Sequence, residues 1–345
     1  MKVLIIGLGA IGQRHLRNLR ALLPDDAEFL AYRVRRKPEA ITATLQVDAT
    51  RDVENEYRIR TFSDLDEALA EAPKIAVISN PSSMHIQVAL DCARAGCDLF
   101  LEKPLSNNMA GISDLQSELK RRSLIAMVGY QLRFHPCFLH MQEILSKGML
   151  GRLLCVRATV GEYLPGWHPY EDYRQGYAAR SELGGGVVLT LIHEFDYLYA
   201  LFGRVHRVYS VGGHFSNLEM DVEDVASTLM ECEADGRPLP VHLQQDYLQC
   251  PPSRNCEVIG DAGKAMLDFR SLEVMRYNAA GEIVDHFRCG NFDRNQLFVE
   301  EMQHFLDSVG TRSKPIVDVS EGLWSLKLAI AARESMATHK VVEIA

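Results

Sequence analysis

The glycines at the amino end of the chain constrain its fold more than any other feature. The apolar run 3–6 leads directly into Gly7, Gly9 and Gly12, and an amphipathic helical pattern follows without a gap. Gly7 permits a tight turn, Gly9 leaves the backbone open to a pyrophosphate, and Gly12 lets the helix pack close to the strand. The helix dipole and free N–H groups then favour phosphate. We therefore predict a dinucleotide site; the alternative is a glycine turn of another α/β fold. The predicted contacts here are Gly7, Gly9, Ala10, Ile11 and Gly12.

Composition and charge exclude several classes of protein. The 345 residues suffice for two domains, and 47% hydrophobic with 24% charged residues is ordinary for a globular chain. Because no apolar run could span a bilayer and no leader pattern opens the chain, we expect a cytoplasmic protein with no membrane partner. The net charge of −9 argues against a nucleic-acid partner. The eight cysteines lack a CxxC pair and the twelve histidines lack HxxxH or HxH spacing, so we expect no disulfide and no metal.

Strand and helix patterns alternate through about residue 128. Each buried strand precedes a helical segment, which predicts an α/β fold with a doubly wound parallel sheet of the Rossmann type over residues 1–128. Such a sheet binds its ligand beyond the carboxyl ends of its strands. Ser63 is expected to cap a short helix over 64–71. The other predicted strands cover 28–32, 75–79, 99–101 and 125–128, and the other helices 84–95 and 109–122.

After Gly129 the pattern changes to strands that alternate apolar and polar residues. Residues 129–345 are predicted to form an α+β domain with a large, mostly antiparallel open sheet that binds substrate and mediates oligomerisation. One face of that sheet needs a cover, and a second copy of the chain is the simplest candidate, so we expect a homodimer or homotetramer. The predicted strands cover 153–160, 207–211, 225–231, 241–247, 256–259, 264–269 and 273–277, and the helices 137–146, 296–309 and 320–338.

Two strand ends in the first domain carry polar residues where a Rossmann sheet places its ligand. Asn80 and Pro81 follow one strand, and Glu102, Lys103 and Pro104 follow the next. A partly desolvated lysine can have its pKa lowered toward neutrality, which suits a general acid or base. A cis peptide before Pro104 would fix the lysine. The alternative is a solvated Glu–Lys pair before a turn.

Together these motifs resemble the Gfo/Idh/MocA oxidoreductase family, which includes glucose–fructose oxidoreductase and inositol dehydrogenase. The likeness extends over the whole chain and includes residues 129–136, 184–193 and 300–306. The resemblance implies that Lys103 lies near the nicotinamide and the substrate hydroxyl as the proton-transfer group. It also implies that the cofactor is contacted by Asn80, Pro81, His85, Glu102 and Lys103.

One position departs from the family pattern. In the family dehydrogenases a helix usually supplies an aspartate and, a few residues later, a histidine, both at the substrate. His193 matches the histidine and is expected to act in catalysis, whereas Thr190 stands nearest the aspartate position. Glu194 or Asp196 could replace the missing carboxylate, although a one-residue shift turns a helical side chain by about 100°.

The segment 163–177 holds five Tyr and Trp residues in fifteen and is broken by glycine and proline. Aromatic faces can stack on a sugar ring, so we expect a substrate loop; the alternative is a packing loop or subunit contact. Arg133, Arg174 and Arg180 would suit an acidic sugar. The predicted substrate contacts are Arg133, Tyr163, Trp167, His168, Thr190 and His193.

The end of the second strand decides between NAD and NADP. An acid that holds the ribose 2′-hydroxyl should lie about 20 residues past the glycines. Arg33 stands there instead, and a basic run follows at 35–37. Arginine can hold a 2′-phosphate, so the sequence favours NADP(H), with NAD(H) or a solvated basic loop as the alternatives.

These inferences combine into one function. We expect an NAD(P)-dependent oxidoreductase that transfers hydride between nicotinamide and a carbinol carbon of a sugar, sugar acid or cyclitol. Lys103 would move the hydroxyl proton. One alternative is a sugar hydrolase or lyase that holds nicotinamide tightly with no net redox change. The other is a cofactor-binding protein without catalysis, which Thr190 favours and the intact Lys103 motif disfavours.

Overall fold

In the computed structural model, which describes residues 1–34, 39–42, 47–168 and 171–344, the first half of the chain alternates strands with helices. Its strands are β1 (Lys2–Ile6), β2 (Glu28–Tyr32), β3 (Glu39–Ile41), β4 (Val47–Asp52), β5 (Ile59–Phe62), β6 (Ile75–Ile78), β7 (Asp98–Glu102) and β8 (Ala126–Gly129). Its helices are α1 (Ala10–Leu22), α2 (Val53–Tyr57), α3 (Leu65–Ala70), α4 (His85–Arg94) and α5 (Ile112–Arg122).

Six of the described strands form one parallel sheet in the order β5-β2-β1-β6-β7-β8. The central strand β1 is apolar on both faces because helices cover both, and residues 3–6 are fully buried. The chain leaves β1 toward β2 on one side, whereas β6 begins the other side. The carboxyl ends of β1 and β6 therefore form the switch point at which such sheets bind ligands. The predicted Rossmann sheet is confirmed.

The second half of the chain is dominated by strands. Its strands are β9 (Leu153–Gly161), β10 (Val205–Gly213), β11 (Val225–Ala234), β12 (Arg237–Asp246), β13 (Ser253–Gly260), β14 (Gly263–Asp268), β15 (Glu273–Asn278), β16 (Ile283–Arg288) and β17 (Val342–Glu343). Its helices are α6 (Pro136–Ser146), α7 (Val187–Thr190), α8 (His193–Phe202), α9 (Arg294–Thr311) and α10 (Val319–Thr338).

These strands form a sheet of nine within the described residues, in the order β16-β15-β14-β13-β9-β12-β11-β10-β17. Its neighbours are antiparallel apart from β9 and β12, which confirms the predicted class. On the opposite side to α8 and α10, Tyr209, Val211 and Leu229 are 37%, 55% and 53% exposed. A second copy of the chain on that face stays a prediction.

Helix α9 returns to the first sheet and closes its core. Met302 and Phe305 are fully buried, and the Phe305 ring packs edge-on against Phe100 of β7 with 5.6 Å between centroids. Before α10, the Val317 carbonyl accepts a 2.9 Å hydrogen bond from the Val128 N–H. Residues 1–128 therefore do not complete their own core, and the domain boundary at 128/129 stays a prediction.

The structure corrects details of the sequence analysis. The cap of α3 is Asp64 rather than Ser63, because Asp64 Oδ1 accepts hydrogen bonds from the N–H groups of Asp66 and Glu67 at 2.8 and 3.1 Å. Strand β16 was not predicted; it lies at the sheet edge and has no buried residue to give it a pattern. Helix α9 begins at Arg294, two residues earlier than expected.

The role of α9 can be tested by truncating its buried ring. Phe305→Ala should lower the free energy of unfolding by about 3–4 kcal/mol, since a large buried side chain is lost and a cavity remains. Amide exchange in β1 should accelerate as well. Gln303→Ala, on the exposed side of the same helix, is the control and should leave both unchanged. Faster amide exchange in Phe305→Ala that is confined to the nine-stranded sheet would contradict this packing.

Candidate active site

The glycine turn lies at the carboxyl end of β1, and each glycine has its own geometry. Gly7 has φ +88°, and a Cβ there would lie 2.9 Å from the Ser79 carbonyl oxygen. A Cβ on Gly12 would lie 2.0 Å from the Gly7 carbonyl oxygen, so any side chain would push α1 off the turn. A Cβ on Gly9 would meet no atom within 4 Å. The space over Gly9 is therefore open, whereas Gly7 and Gly12 are tightly packed.

Helix α1 starts beside that open space without a side-chain cap. Gly9 is its N-cap residue, and Ala10 and Ile11 are its first two residues. The N–H groups of the first turn have no partner within the helix, and they carry the positive end of its dipole. The turn thus fits the pyrophosphate of a dinucleotide, and it would hold that group through backbone N–H groups.

The turn after β6 packs against the glycine turn. Ser79 Oγ donates to the Gly7 carbonyl at 2.9 Å. Pro81 lies at the end of this turn and is the N-cap residue of the short 3-10 helix Ser82–Met84. Asn80 Oδ1 is buried and has no hydrogen-bond partner among the described residues, so it can accept a bond from a ligand.

His85 supports this turn from beneath rather than offering a free ring. Its Nδ1 lies 2.9 Å from the Pro104 carbonyl oxygen, and its Nε2 lies 2.8 Å from the Asn80 carbonyl oxygen. Burial lowers the pKa of His85, although both carbonyls act in the opposite direction. His85 therefore ties the two strand ends together, and its direct contact with a cofactor stays a prediction.

Lys103 lies at the other strand end, directly after β7. The peptide bond between Lys103 and Pro104 is cis, as the sequence analysis considered. The side chain is partly buried and crosses to the second half of the chain, where Nζ donates to the Thr190 carbonyl oxygen at 2.9 Å. Lys103 therefore faces the cleft between the two sheets.

Burial lowers the pKa of the Lys103 ammonium to about 8. The charges around it oppose one another: Glu102 and Glu194 raise this pKa, whereas Arg254 and Arg294 lower it. Because these contributions offset each other, desolvation decides the result. The amine consequently exists in both protonation states near neutral pH.

Glu102 is held by a histidine that the sequence analysis missed. His15 Nε2 donates to Glu102 Oε1 at 2.6 Å, and the Lys103 N–H donates to Oε2 at 3.2 Å. Burial raises the pKa of Glu102, but His15 and the Lys103 charge outweigh it and leave a net lowering. The carboxylate is thus ionised and positions the backbone before Lys103. His15 follows Gly12 by three residues, which was the only available signal.

His193 begins α8 and is only 4% exposed. Its ring lies edge-on to Tyr130, with 5.7 Å between centroids, and its Nδ1 has no hydrogen-bond partner in the described part of the chain. Burial lowers the pKa of His193 well below its ordinary value, and the Lys103 and Arg254 charges act in the same direction. His193 is therefore a neutral imidazole beside Lys103.

Thr190 ends α7, and its side chain adds no charge to the site. It is buried, and its Oγ1 lies beside the Tyr247 hydroxyl without hydrogen-bond geometry. Its carbonyl, rather than its side chain, meets Lys103. The structure thus gives Thr190 a backbone role, whereas contact of its side chain with substrate stays a prediction.

Both neighbouring carboxylates are paired with arginines. Glu194 accepts two bonds from Arg254, at 2.7 Å from Nε and 3.1 Å from Nη2. Asp196 accepts two bonds from Arg133, at 2.6 and 2.9 Å. Each is fully buried and paired with its own arginine, although the Glu194 charge still raises the pKa of Lys103. Replacement of the missing aspartate by either of them stays a prediction.

The arginines suggested for an acidic sugar are also paired. Arg133 is buried against Asp196, Arg174 bonds to Asp172 and Glu219, and Arg180 bonds to Glu182. Their charges are therefore offset before any substrate arrives. Arg133 forms a buried ion pair with Asp196, and its contact with a substrate stays a prediction.

Part of the aromatic loop reaches the cleft. Trp167 is partly buried, lies edge-on to Tyr247 at 5.4 Å, and has an indole Nε1 without a hydrogen-bond partner among the described residues. Burial raises the pKa of Tyr177, and the charges of Glu102 and Glu171 add to that rise. Tyr177 therefore lies within electrostatic reach of the Lys103 strand end.

Other loop residues lie nearer the surface. His168 Nδ1 is 2.8 Å from Glu171 Oε1, and Tyr163 is 46% exposed. Residues 169 and 170 lie outside the described residues. Contacts of Tyr163 and His168 with substrate stay predictions.

Arg33 lies at the end of β2 as predicted, but it is buried. Its Nη1 is 3.6 Å from Glu54 Oε1, so a carboxylate already faces the guanidinium. The basic run 35–37 lies outside the described residues. Among the described residues no metal-binding group of His, Cys, Asp or Glu occurs, and no helix has the length and apolarity to cross a bilayer.

Comparison with known protein families gives the affiliation. The family model described as oxidoreductase family, NAD-binding Rossmann fold, matches residues 1–130, and the GFO/IDH/MocA C-terminal domain matches residues 138–266. The chain belongs to the Gfo/Idh/MocA oxidoreductase family. The resemblance stated from the motifs is thereby confirmed.

Relatives of this Gfo/Idh/MocA chain extend over its full length. The myo-inositol 2-dehydrogenase of Thermotoga maritima is 25% identical over 100% of this chain and 98% of its own. The scyllo-inositol 2-dehydrogenase (NAD(+)) of Bacillus subtilis is 24% identical over 99% and 95%. The structure of levoglucosan dehydrogenase with NADH and levoglucosan covers 100% of this chain and 99% of its own, with a TM-score of 0.82 at 16% identity. That last likeness supports the fold.

The two kinds of glycine in the turn give a matched test of the cofactor site. Gly12→Ala should lower the free energy of unfolding by about 1–3 kcal/mol, because its methyl group would overlap the turn. Gly9→Ala should leave stability nearly unchanged and weaken binding of the dinucleotide, because its methyl group enters only the open space. Thermal unfolding and calorimetric titration with NAD measure the two effects. Normal affinity in Gly9→Ala would contradict a pyrophosphate at this position.

Proposed function

We propose that this chain is an NAD(P)-dependent dehydrogenase or reductase acting on a carbinol carbon of a sugar, sugar acid or cyclitol. The observation that carries the proposal is Lys103, whose partly neutral amine faces the cleft beside the neutral ring of His193. The names of the relatives, two inositol dehydrogenases and a levoglucosan dehydrogenase, support a polyhydroxylated substrate. Nicotinamide, when bound, supplies the hydride chemistry.

Lys103 is the proton-transfer group in this proposal. During oxidation, neutral Nζ accepts the proton of the substrate hydroxyl, and during reduction the ammonium returns a proton to the carbonyl oxygen. A pKa of about 8 makes both states accessible near neutrality. The Thr190 carbonyl, 2.9 Å from Nζ, holds the amine in the cleft between turnovers.

His193 and the aromatic residues orient the substrate. A neutral imidazole can donate from one nitrogen and accept at the other, so His193 can hydrogen-bond the reacting hydroxyl without adding charge. Trp167 offers an indole N–H without a partner among the described residues, and Tyr177 adds a ring nearby. Such walls recognise the C–H faces and hydroxyls of a sugar ring.

The pH dependence of turnover tests the role of Lys103. Since the neutral amine is the base, kcat/KM for oxidation should rise tenfold per pH unit below about 8 and level off above it. Lys103→Met should lose at least about 100-fold in turnover while retaining NAD affinity. Lys120→Met, on the exposed side of α5, is the control. A flat profile, or near-normal turnover in Lys103→Met, would remove Lys103 from the mechanism.

For the cofactor we propose NAD(H) rather than the NADP(H) that the sequence favoured. Glu54 faces Arg33 at 3.6 Å, and its negative charge would repel a 2′-phosphate and offset the arginine that could bind one. The family model is described as NAD-binding, which supports the same choice.

Glu54→Gln tests that choice because it removes one negative charge that faces Arg33. The wild-type chain should have a higher kcat/KM with NAD than with NADP, and Glu54→Gln should shift the ratio toward NADP by about tenfold, or about 1.4 kcal/mol. Glu67→Gln on α3 is the control. If the wild-type chain prefers NADP and Glu54→Gln leaves that preference unchanged, the proposal of NAD(H) is wrong and Arg33 is the residue that binds the 2′-phosphate of NADP.

A further inference from the structure

Two arginines outside the predicted site act electrostatically on Lys103 and His193. Arg254 lies at the start of β13, where it pairs with Val160 of β9, and Arg294 is the first residue of α9. The Arg254 guanidinium bonds to Glu194, the residue after His193, and the charges of both arginines lower the pKa of His193. Neither was singled out by sequence, because nothing in their local pattern differs from an ordinary strand or helix start.

Arg254 is held in a fixed orientation. Its side chain is 13% exposed, and its Nε and Nη2 donate to the two oxygens of the fully buried Glu194. Glu194 directly follows His193, and the Thr190 carbonyl one turn earlier accepts the bond from Lys103. These contacts hold Arg254 close to Lys103. The described hydrogen bonds leave its Nη1 without an acceptor, so the two N–H donors of Nη1 and one of Nη2 remain for a ligand.

Arg294 has no carboxylate in hydrogen-bond or ion-pair contact within the described residues. It lies on the same face of α9 as Phe298, four residues later, and the Arg14 guanidinium stacks over that ring at 4.6 Å. The Phe298 ring also lies 6.2 Å from His15, which bonds to Glu102. The first turn of α9 is thereby fixed next to the Lys103 strand end.

Within the described residues, the ion pairs of this region involve Arg254 but not Arg294. Glu194 is used by Arg254, and Glu102 by His15. Glu162 faces both Arg254 and Arg294, but it forms no ion pair with either. The cations that face this region are Lys103, Arg14, Arg254, Arg270 and Arg294, and the acids are Glu102, Glu162, Glu194 and Asp293.

We propose that Arg254 and Arg294 form a subsite for an anionic substituent of the substrate, so that this chain prefers an acidic sugar to a neutral sugar or cyclitol. The inference rests on the proposed function, since it places the anion on the molecule whose hydroxyl meets Lys103. The shared chemistry is a carboxylate or a phosphate on a sugar ring. Arg254 supplies fixed N–H donors, and Arg294 supplies a charge that the described protein does not pair.

Binding to the NADH-loaded protein tests the subsite without turnover. The probes are glucose, galactose and mannose, each compared by calorimetry with its uronate and its 6-phosphate. At least one acid should bind tenfold or more tightly than its neutral counterpart, and its affinity should fall as salt rises. If the uronates bind and the 6-phosphates fail to bind, the subsite takes a carboxylate. If the 6-phosphates bind and the uronates fail to bind, it takes a phosphate.

Variants of Arg294 test whether this residue binds the anionic substituent. Arg294→Gln should remove most of the tenfold preference by weakening the acid far more than the neutral sugar, and Arg294→Lys should retain part of it. Arg94→Gln, an exposed arginine of α4, is the control. The inference is overturned if no acid binds more tightly than its neutral form, or if Arg294→Gln weakens NADH instead, which would assign the charge to the cofactor.

The same experiment separates this inference from the proposed function. An acid that binds through Arg294 but never reduces NAD with the wild-type protein would retain the subsite and reject the dehydrogenase. A neutral sugar that is oxidised while no acid binds would retain the dehydrogenase and reject the subsite.

Discussion

The hydrogen bond from Lys103 Nζ to the Thr190 carbonyl is the contact on which the site depends. It joins the end of a strand in the parallel sheet to the helix break before α8 in the second half of the chain. Because the lysine is desolvated there, its proton is weakly held, although the charges of Glu102 and Glu194 act in the opposite direction. The position of the Lys103 amine and its lowered pKa therefore have the same structural origin.

The absence of a carboxylate at Thr190 distinguishes this site from the pattern expected of the family. Glu194 and Asp196 lie nearby, yet each forms a buried pair with an arginine. Such pairs are costly to break, because removal of one partner leaves a buried charge. They fix α8 in place, and with it His193, whose pKa is lowered by burial and by the charges of Lys103, Arg254 and Arg294. A neutral His193 beside a partly neutral Lys103 suits proton transfer during oxidation.

Local signals in the sequence were sufficient for the fold and for the positions of the glycine turn and of Lys103. Strand–glycine–helix and strand–lysine–proline are continuous patterns whose geometry follows from neighbouring residues, so the turn at Gly7 and the placement of Lys103 could be predicted. The pairs His15–Glu102 and Arg254–Glu194 join residues 87 and 60 positions apart, and no local pattern encodes them. For the same reason Arg33 was expected to be available, because its contact with Glu54 exists only after folding.

The most direct test of the account is the acid dissociation of Lys103 itself. Protein labelled with ¹³C at lysine Cε can be titrated by NMR, with Lys103→Met used to assign the signal. The account predicts a midpoint near 8, well below the other lysines. A titration midpoint of about 10.4, the ordinary pKa of lysine, would contradict it, because the amine would then be fully charged when it is needed as a base.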